Sequence, residues 1–321
     1  MIGVTLKGLA ARKLRAALTA TAIVLGVAMI SGTYILTDTI KSAFGTVFHE
    51  VYKRTDVIIT SKSAIGGNEN NNGTTPPSFP ESLLPAVQKL PGVAEAQGGI
   101  ADTAKLVEAQ GRRIVARQAD VRDQDAVQEV LDAGLAEFGH VDIVLANAGI
   151  MPVVGDKSRE VAAWHDAIDV MLTGVVYTIE AAIPAMIERN EGGSIVITSS
   201  AAGLKGPTRT MRVKTYGMLG YIAAKHGVVG LMRAYANALG PLGIRVNTVH
   251  PTAVNTPMVV NEGFMGSADQ FPELFEALTN VLPVPLIEPE DVSNAIAYLV
   301  SDAGRQVTGA VFPVDAGATI R

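Results

Sequence analysis

Tyr221 and Lys225 are four residues apart in Tyr221-Ile222-Ala223-Ala224-Lys225, a spacing that puts a phenol and an ammonium on one face of a helix. A cation beside a phenol can lower its pKa, which makes the phenol usable as an acid and a base near neutrality. Upstream, Ser199 and Ser200 follow the strand-like run Ser194-Ile195-Val196-Ile197-Thr198, and a hydroxyl there can steady a substrate oxygen. Together these groups can move a proton to or from an alcohol while a cofactor carries the hydride. Tyr216 also lies at the helix start, but the residue four later is Gly220. His226 and His250 have no second-ligand spacing, so they read as local hydrogen-bonding residues and not as metal ligands.

These side chains need a frame, and the chain from about Lys105 onward supplies alternating strands and helices. Strands are predicted at 113–116, 141–146, 194–198, 244–249 and 310–314. Helices are predicted at 125–138, 164–187, 221–239 and 291–299, the third stopped by Gly240 and Pro241. Such alternation predicts an α/β fold, a Rossmann-like doubly wound parallel sheet. Ligands of such sheets bind beyond the carboxyl ends of the strands. Asp120, Asn147, Ser200 and Pro251 all follow predicted strands at that edge.

Composition narrows the function classes. The chain has 321 residues, of which 48% are hydrophobic and 5% aromatic, with a formal net charge of −5. An acidic, aromatic-poor chain offers no broad nucleic-acid footprint. With no cysteine, disulfides, thiolate metal sites and Cys nucleophiles are excluded.

The front of the chain reads differently. Residues 16–37 carry no charged side chain, and about 22 residues at about 1.5 Å each would cover a bilayer core. Lys7, Arg12, Lys13 and Arg15 precede the run and Asp38 follows, so the positive-inside bias keeps the N-terminus in the cytoplasm. A transmembrane helix is therefore predicted over about 16–37, with membrane association as its consequence. Leu6-Lys7-Gly8-Leu9-Ala10-Ala11-Arg12-Lys13-Leu14-Arg15, Tyr34-Ile35-Leu36-Thr37-Asp38-Thr39 and Leu90-Pro91-Gly92-Val93 resemble the start of an ABC-transporter permease of the FtsX/MacB type. Val57-Ile58-Ile59-Thr60 reads as a short strand, and Leu83 to Leu90 as a helix.

The back segment carries a second, more specific resemblance. Asp120-Val121, Asn147-Ala148-Gly149, Ser200, Tyr221-x-x-x-Lys225 and Pro251-Thr252 occur in the order and strand context of the short-chain dehydrogenase/reductase family. The stretches Gly111 to Asp123, Ala224 to Arg233 and His250 to Met258 are similar to its mycofactocin-associated, carveol-dehydrogenase-like branch. The resemblance implies NAD(H) as cofactor, a hydrophobic alcohol or ketone as substrate, a cytoplasmic location and a homo-oligomer. It implies Tyr221 as general acid/base, Lys225 as the group that lowers its pKa and binds the nicotinamide ribose, and Ser200 as holder of the substrate oxygen. Asp120 and Val121 would sit at the adenine, and Asn147, Ala148 and Gly149 would line the cofactor cleft. Pro251, Thr252, Val254 and Thr256 would border the nicotinamide.

The resemblance breaks in two places. Met171 stands where the family has an Asn that supports a water-linked proton path, and a thioether accepts only weakly. The family's glycine-rich opening loop has no counterpart, since in Ile59-Thr60-Ser61-Lys62-Ser63-Ala64-Ile65-Gly66-Gly67 only Gly67 falls on a glycine position. The sequence therefore predicts two segments. Residues 1–104 form a membrane-anchoring, permease-like segment, and 105–321 a dehydrogenase domain missing its first strands, with impaired activity, joined as a chimera. The gap between the Asp120 and Asn147 strands is expected to be filled in part by Val57 to Thr60.

Overall fold

The computed structural model describes residues 24–31, 57–62, 104, 105, 107–206, 214–269 and 271–321, the first two stretches by their backbone. The described strands are β1 (Val24–Ser31), β2 (Val57–Lys62), β3 (Ile114–Arg117), β4 (Ile143–Ala146), β5 (Gly193–Thr198), β6 (Ile244–Pro251) and β7 (Val311–Val314). They form one seven-stranded sheet in the order β3-β2-β1-β4-β5-β6-β7, and every neighbouring pair is parallel. The main helices are α1 (Gln124–Phe138), α2 (Val161–Ile168), α3 (Gly174–Arg189), α4 (Tyr216–Leu239) and α5 (Pro289–Val300). A π-helical turn, Asp169–Thr173, joins α2 to α3.

Side-chain alternation along the strands builds two hydrophobic layers. Val144, Ala146, Ile195 and Ile197 join Val130 and Leu131 of α1, Ile179 and Met186 of α3, and Val228 and Met232 of α4 in one cluster. Their strand neighbours Ile143 and Val196 join Val249 and Leu299 in a second. A sheet covered on both faces needs strands that are apolar at nearly every position, and Ile143-Val144-Leu145-Ala146 supplies such a run. The helix ends are encoded locally as well. Asp123 accepts from the backbone nitrogens of Asp125 and Ala126 at the start of α1, and Thr215 from Met218 at the start of α4, each satisfying a helix-end donor.

The structure corrects the reading of the front segment. The sheet is not missing its first strands, because β1 and β2 lie between β3 and β4. The expected strand at Val57 pairs with β3 through Val57–Ile114 to Thr60–Arg117 and fills half of the gap. The other half is filled by β1, which lies within the run predicted to cross a membrane. Over Val24–Ser31 that run is a strand paired with both β2 and β4, not a transmembrane helix. A short apolar run cannot be assigned to helix or buried strand from periodicity alone, and here two free strand edges take it up. The rest of the predicted span, most of the permease-like motif residues and the helix expected at Leu83 to Leu90 lie outside the described residues. Among the described residues, one continuous helical stretch, Val161–Arg189, is long and apolar enough to cross a membrane. Its Ile179, Ala182 and Met186 are fully buried in the core.

Candidate active site

The end of β5 is fixed residue by residue. Thr198 donates its hydroxyl to the Asn147 side-chain oxygen at 2.7 Å, tying β5 to the loop after β4. Its carbonyl accepts from Lys225 Nζ at 2.8 Å. Ser199 is buried, and its hydroxyl donates to the Lys225 carbonyl at 2.8 Å, so it is structural. The Ser200 Oγ is placed differently: it accepts from the Ala202 nitrogen at 3.1 Å and hydrogen-bonds the phenol of Tyr221.

Tyr221 and Lys225 lie one turn apart on α4, as their spacing requires. The helix comes close to α2 because position 220 is glycine; a Cβ there would lie 2.8 Å from that of Ala167 and 3.0 Å from the Trp164 backbone. At Gly203 a Cβ would meet Ser199 Oγ and the Lys225 carbonyl well inside van der Waals contact. Glycine at 203 thus allows the turn after Ser200 to pack against α4.

The electrostatics differ from the sequence expectation. Burial pushes the Tyr221 pKa above its ordinary value, and the Ser200 hydrogen bond opposes this. Lys225 Nζ sits over the Tyr221 ring, 5.8 Å from its centroid, and donates its hydrogen bond to the Thr198 carbonyl. Burial pulls its own pKa down to about 8, so it remains largely charged at neutral pH. The chain therefore holds a protonated phenol next to a hydroxyl, with a charged amine behind them.

These groups open into a cavity of about 210 Å³ at the carboxyl edge of the sheet, lined by Asn147, Gly149, Ser200, Tyr221, Lys225, Pro251, Thr252, Val254 and Thr256. Nine of the predicted site residues thus converge. Three do not line it. Ala148 and Val121 are buried in the main core cluster. Asp120 lies at the end of the β3 region, gripped by Arg122, whose Nη2 and Nε donate at 2.7 and 3.0 Å and which also reaches Asp166 at 3.2 Å. Met171 is fully buried on the π turn. It lines the same cavity, with its sulfur and Lys225 Nζ each 3.8 Å from the Cβ position of Gly149.

Sequence reasoning missed the other half of the cavity. Met151, Val153, Met218, Ile222, Phe264, Leu274 and Leu278 form an apolar roof, with Phe264 stacked obliquely on Phe275 at 5.1 Å. Met218 and Ile222 come from α4; the others come from loops and the short helices Glu262–Met265 and Pro272–Ala277, where no strand or helix period marks them. The excess of apolar residues between Met258 and Leu286 was the available signal.

Strand order reverses between β1 and β4, and such switch points are where nucleotide cofactors bind in open α/β sheets. The Asn147–Gly149 loop follows β4, and the hydroxyl of Tyr221 and ammonium of Lys225 are donors suited to a ribose and a nicotinamide. That end fits a dinucleotide. The segment following β1, which would face the phosphates, lies outside the described residues.

A parallel sheet presenting a phenol, an ammonium and a hydroxyl at its carboxyl edge is the layout of Rossmann-type oxidoreductases. A family model described as enoyl-(acyl carrier protein) reductase matches residues 93–319. An uncharacterised oxidoreductase of Mycobacterium tuberculosis is 54% identical over 222 residues, covering 68% of this chain and 78% of the relative. The (-)-trans-carveol dehydrogenase of Rhodococcus erythropolis is 45% identical over 230 residues, covering 68% and 79%. Among solved structures, carveol dehydrogenase from Mycobacterium avium in complex with NAD superposes with a TM-score of 0.66 at 36% identity, covering 91% of this chain and 97% of that one. The chain belongs to the short-chain dehydrogenase/reductase family of oxidoreductases. None of these similarities involves an ABC-transporter permease.

Proposed function

We propose that this chain interconverts a hydrophobic secondary alcohol and its ketone with NAD(H). The observation that carries the reading is the convergence of Ser200, Tyr221 and Lys225 at the polar end of an otherwise apolar cavity. A bound nicotinamide dinucleotide would supply the hydride acceptor or donor. Ser200 would hold the substrate oxygen through its hydroxyl. Tyr221 would exchange the proton at that same oxygen. With its pKa raised by burial, the phenol is protonated at neutral pH, which suits donation to a carbonyl in the reducing direction. Alcohol oxidation needs the phenolate and should accelerate with rising pH. Lys225 would place a positive charge near that phenolate and offer its amine to the ribose hydroxyls. Pro251, Thr252, Val254 and Thr256 would border the nicotinamide, Asn147 and Gly149 would line the cofactor cleft with Ala148 packed behind them, and Asp120 and Val121 would sit at the adenine side.

The apolar roof supports an alicyclic or terpenoid-like alcohol, in keeping with the carveol dehydrogenase relatives. The dehydrogenase motifs all lie after residue 105, and we assign the chemistry to that part, with β1 and β2 completing the sheet. The test is NAD-dependent oxidation of a panel of cyclic secondary alcohols by the purified full chain, followed as NADH formation. Turnover that vanishes in Tyr221→Phe supports the reading. Turnover unaffected by that change, or no NADH binding at all, rejects it.

A further inference from the structure

We propose that His250 is a positioning residue for Ser200, acting through the serine's main chain. The inference rests on the oxidoreductase reading above. His250 lies near the end of β6 and is fully buried. Its Nδ1 is 2.9 Å from the Ser200 carbonyl oxygen, and its Nε2 is 2.8 Å from Thr248 Oγ1. A carbonyl can only accept, so Nδ1 carries the proton. In a neutral ring Nε2 then accepts from the Thr248 hydroxyl, at 2.8 Å a much nearer acceptor for that single proton than the Ala310 carbonyl at 3.4 Å. Burial holds the ring neutral by lowering its pKa, with the Lys225 and His226 charges acting the same way, against the Ser200 carbonyl and Asp315.

The consequence concerns the one residue of the β5 end whose hydroxyl faces substrate. Thr198 and Ser199 are each tied to Lys225 of α4. The Ser200 carbonyl is tied to β6 through the His250 ring, and within its own turn to the Gly203 nitrogen at 2.8 Å. The ring therefore sets the tilt of the Ser200 peptide, and with it the direction of Oγ toward the Tyr221 phenol. A misplacement of about 1 Å in such a group costs on the order of 10²-fold in rate. His250 touches no reacting atom, so its effect passes wholly through Ser200.

Two substitutions separate this role from mere filling of space. His250→Asn keeps an N–H near the position of Nδ1, whereas His250→Leu removes it. His250→Leu is expected to lower kcat by roughly 30- to 100-fold with little change in the KM for NAD. His250→Asn should restore kcat to within about fivefold of the parent. Introduced into Ser200→Ala, His250→Leu should cost less than about threefold more, because the hydroxyl being aimed is gone. Equal losses in the Asn and Leu variants, or the full loss repeated on Ser200→Ala, would overturn the proposal. The ring itself gives a readout independent of turnover and of variant folding. ¹⁵N spectra of the parent protein at pH 7 should show His250 as the neutral Nδ1–H tautomer. An Nε2–H or doubly protonated ring also overturns it, whereas an inactive parent with the expected tautomer would sink the oxidoreductase reading alone.

Discussion

The two edges of the same sheet hold cavities of opposite character. At the carboxyl edge the cavity is about 210 Å³; at the amino edge it is about 580 Å³ and lined by Asp142, Arg189, Glu191, Arg245, Asp302 and Arg305. In the larger and more highly charged cavity, Arg189 and Arg245 are held by the fold. Arg189 pairs with Asp142 and, at 2.8 Å, with Glu191. Arg245 donates to the Leu299 carbonyl at the end of α5, and to those of Gly304 and Val307 at 3.0 and 3.3 Å. At the carboxyl edge the phenol and hydroxyl reach into an apolar space, and the buried amine behind them has a pKa near 8. Polar groups aimed into an apolar space, and not volume or charge count, single out the carboxyl edge as the candidate site.

That contrast makes the expected effects of substitution unequal. Tyr221→Phe should remove about 10²- to 10⁴-fold of the turnover while leaving the thermal midpoint close to that of the parent; a smaller kinetic loss would make the two edges alike. Lys225→Met sharpens the comparison through pH. The folded value near 8 lies below the ordinary 10.5, so between these values the unfolded chain binds more protons and stability rises with pH. Denaturant unfolding should therefore show the parent gaining about 3 kcal/mol relative to Lys225→Met from pH 7 to above pH 10. No pH trend in that difference would mean the amine is solvated.

At the amino edge, Arg189→Met leaves the buried Asp142 carboxylate short of its main partner. A loss of about 1–3 kcal/mol in stability is expected, with kcat unchanged. A fall in kcat out of proportion to the folded fraction would break the division between the edges. Asp123→Ala removes the cap of α1, away from both cavities. It should cost about 1 kcal/mol, read as a small fall in the thermal midpoint at unaltered kcat.

Much of the site was legible because its signals are local. Ser200 follows a strand, Tyr221 and Lys225 share a helical face, and Pro251 and Thr252 end another strand; each position follows from short-range spacing. The central strand was not legible. Val24-Leu25-Gly26-Val27-Ala28-Met29-Ile30-Ser31 is apolar without a period, so length and flanking lysines and arginines argued for a membrane helix. Only the open edges of β2 and β4 select a strand there. The roof was hidden for a related reason, since Phe264, Leu274 and Leu278 sit on or beside helices of four and six residues, too short to show a repeat.

The amino-acid order alone determined the candidate site's Ser200, Tyr221 and Lys225, their neighbours along the chain and the α/β alternation, because these depend on spacings of a few residues. The tertiary structure decided what those groups face. It bonded Lys225 to the Thr198 carbonyl while holding it over the phenol ring, tied the Ser199 hydroxyl to α4 and left that of Ser200 beside the phenol, and put an apolar segment from the front of the chain into the middle of the sheet. Burial and partners from other segments set each of these outcomes, from 26 residues away for Ser199 and Lys225 to more than a hundred for Val24 and Ile143, and no local pattern encodes such partners.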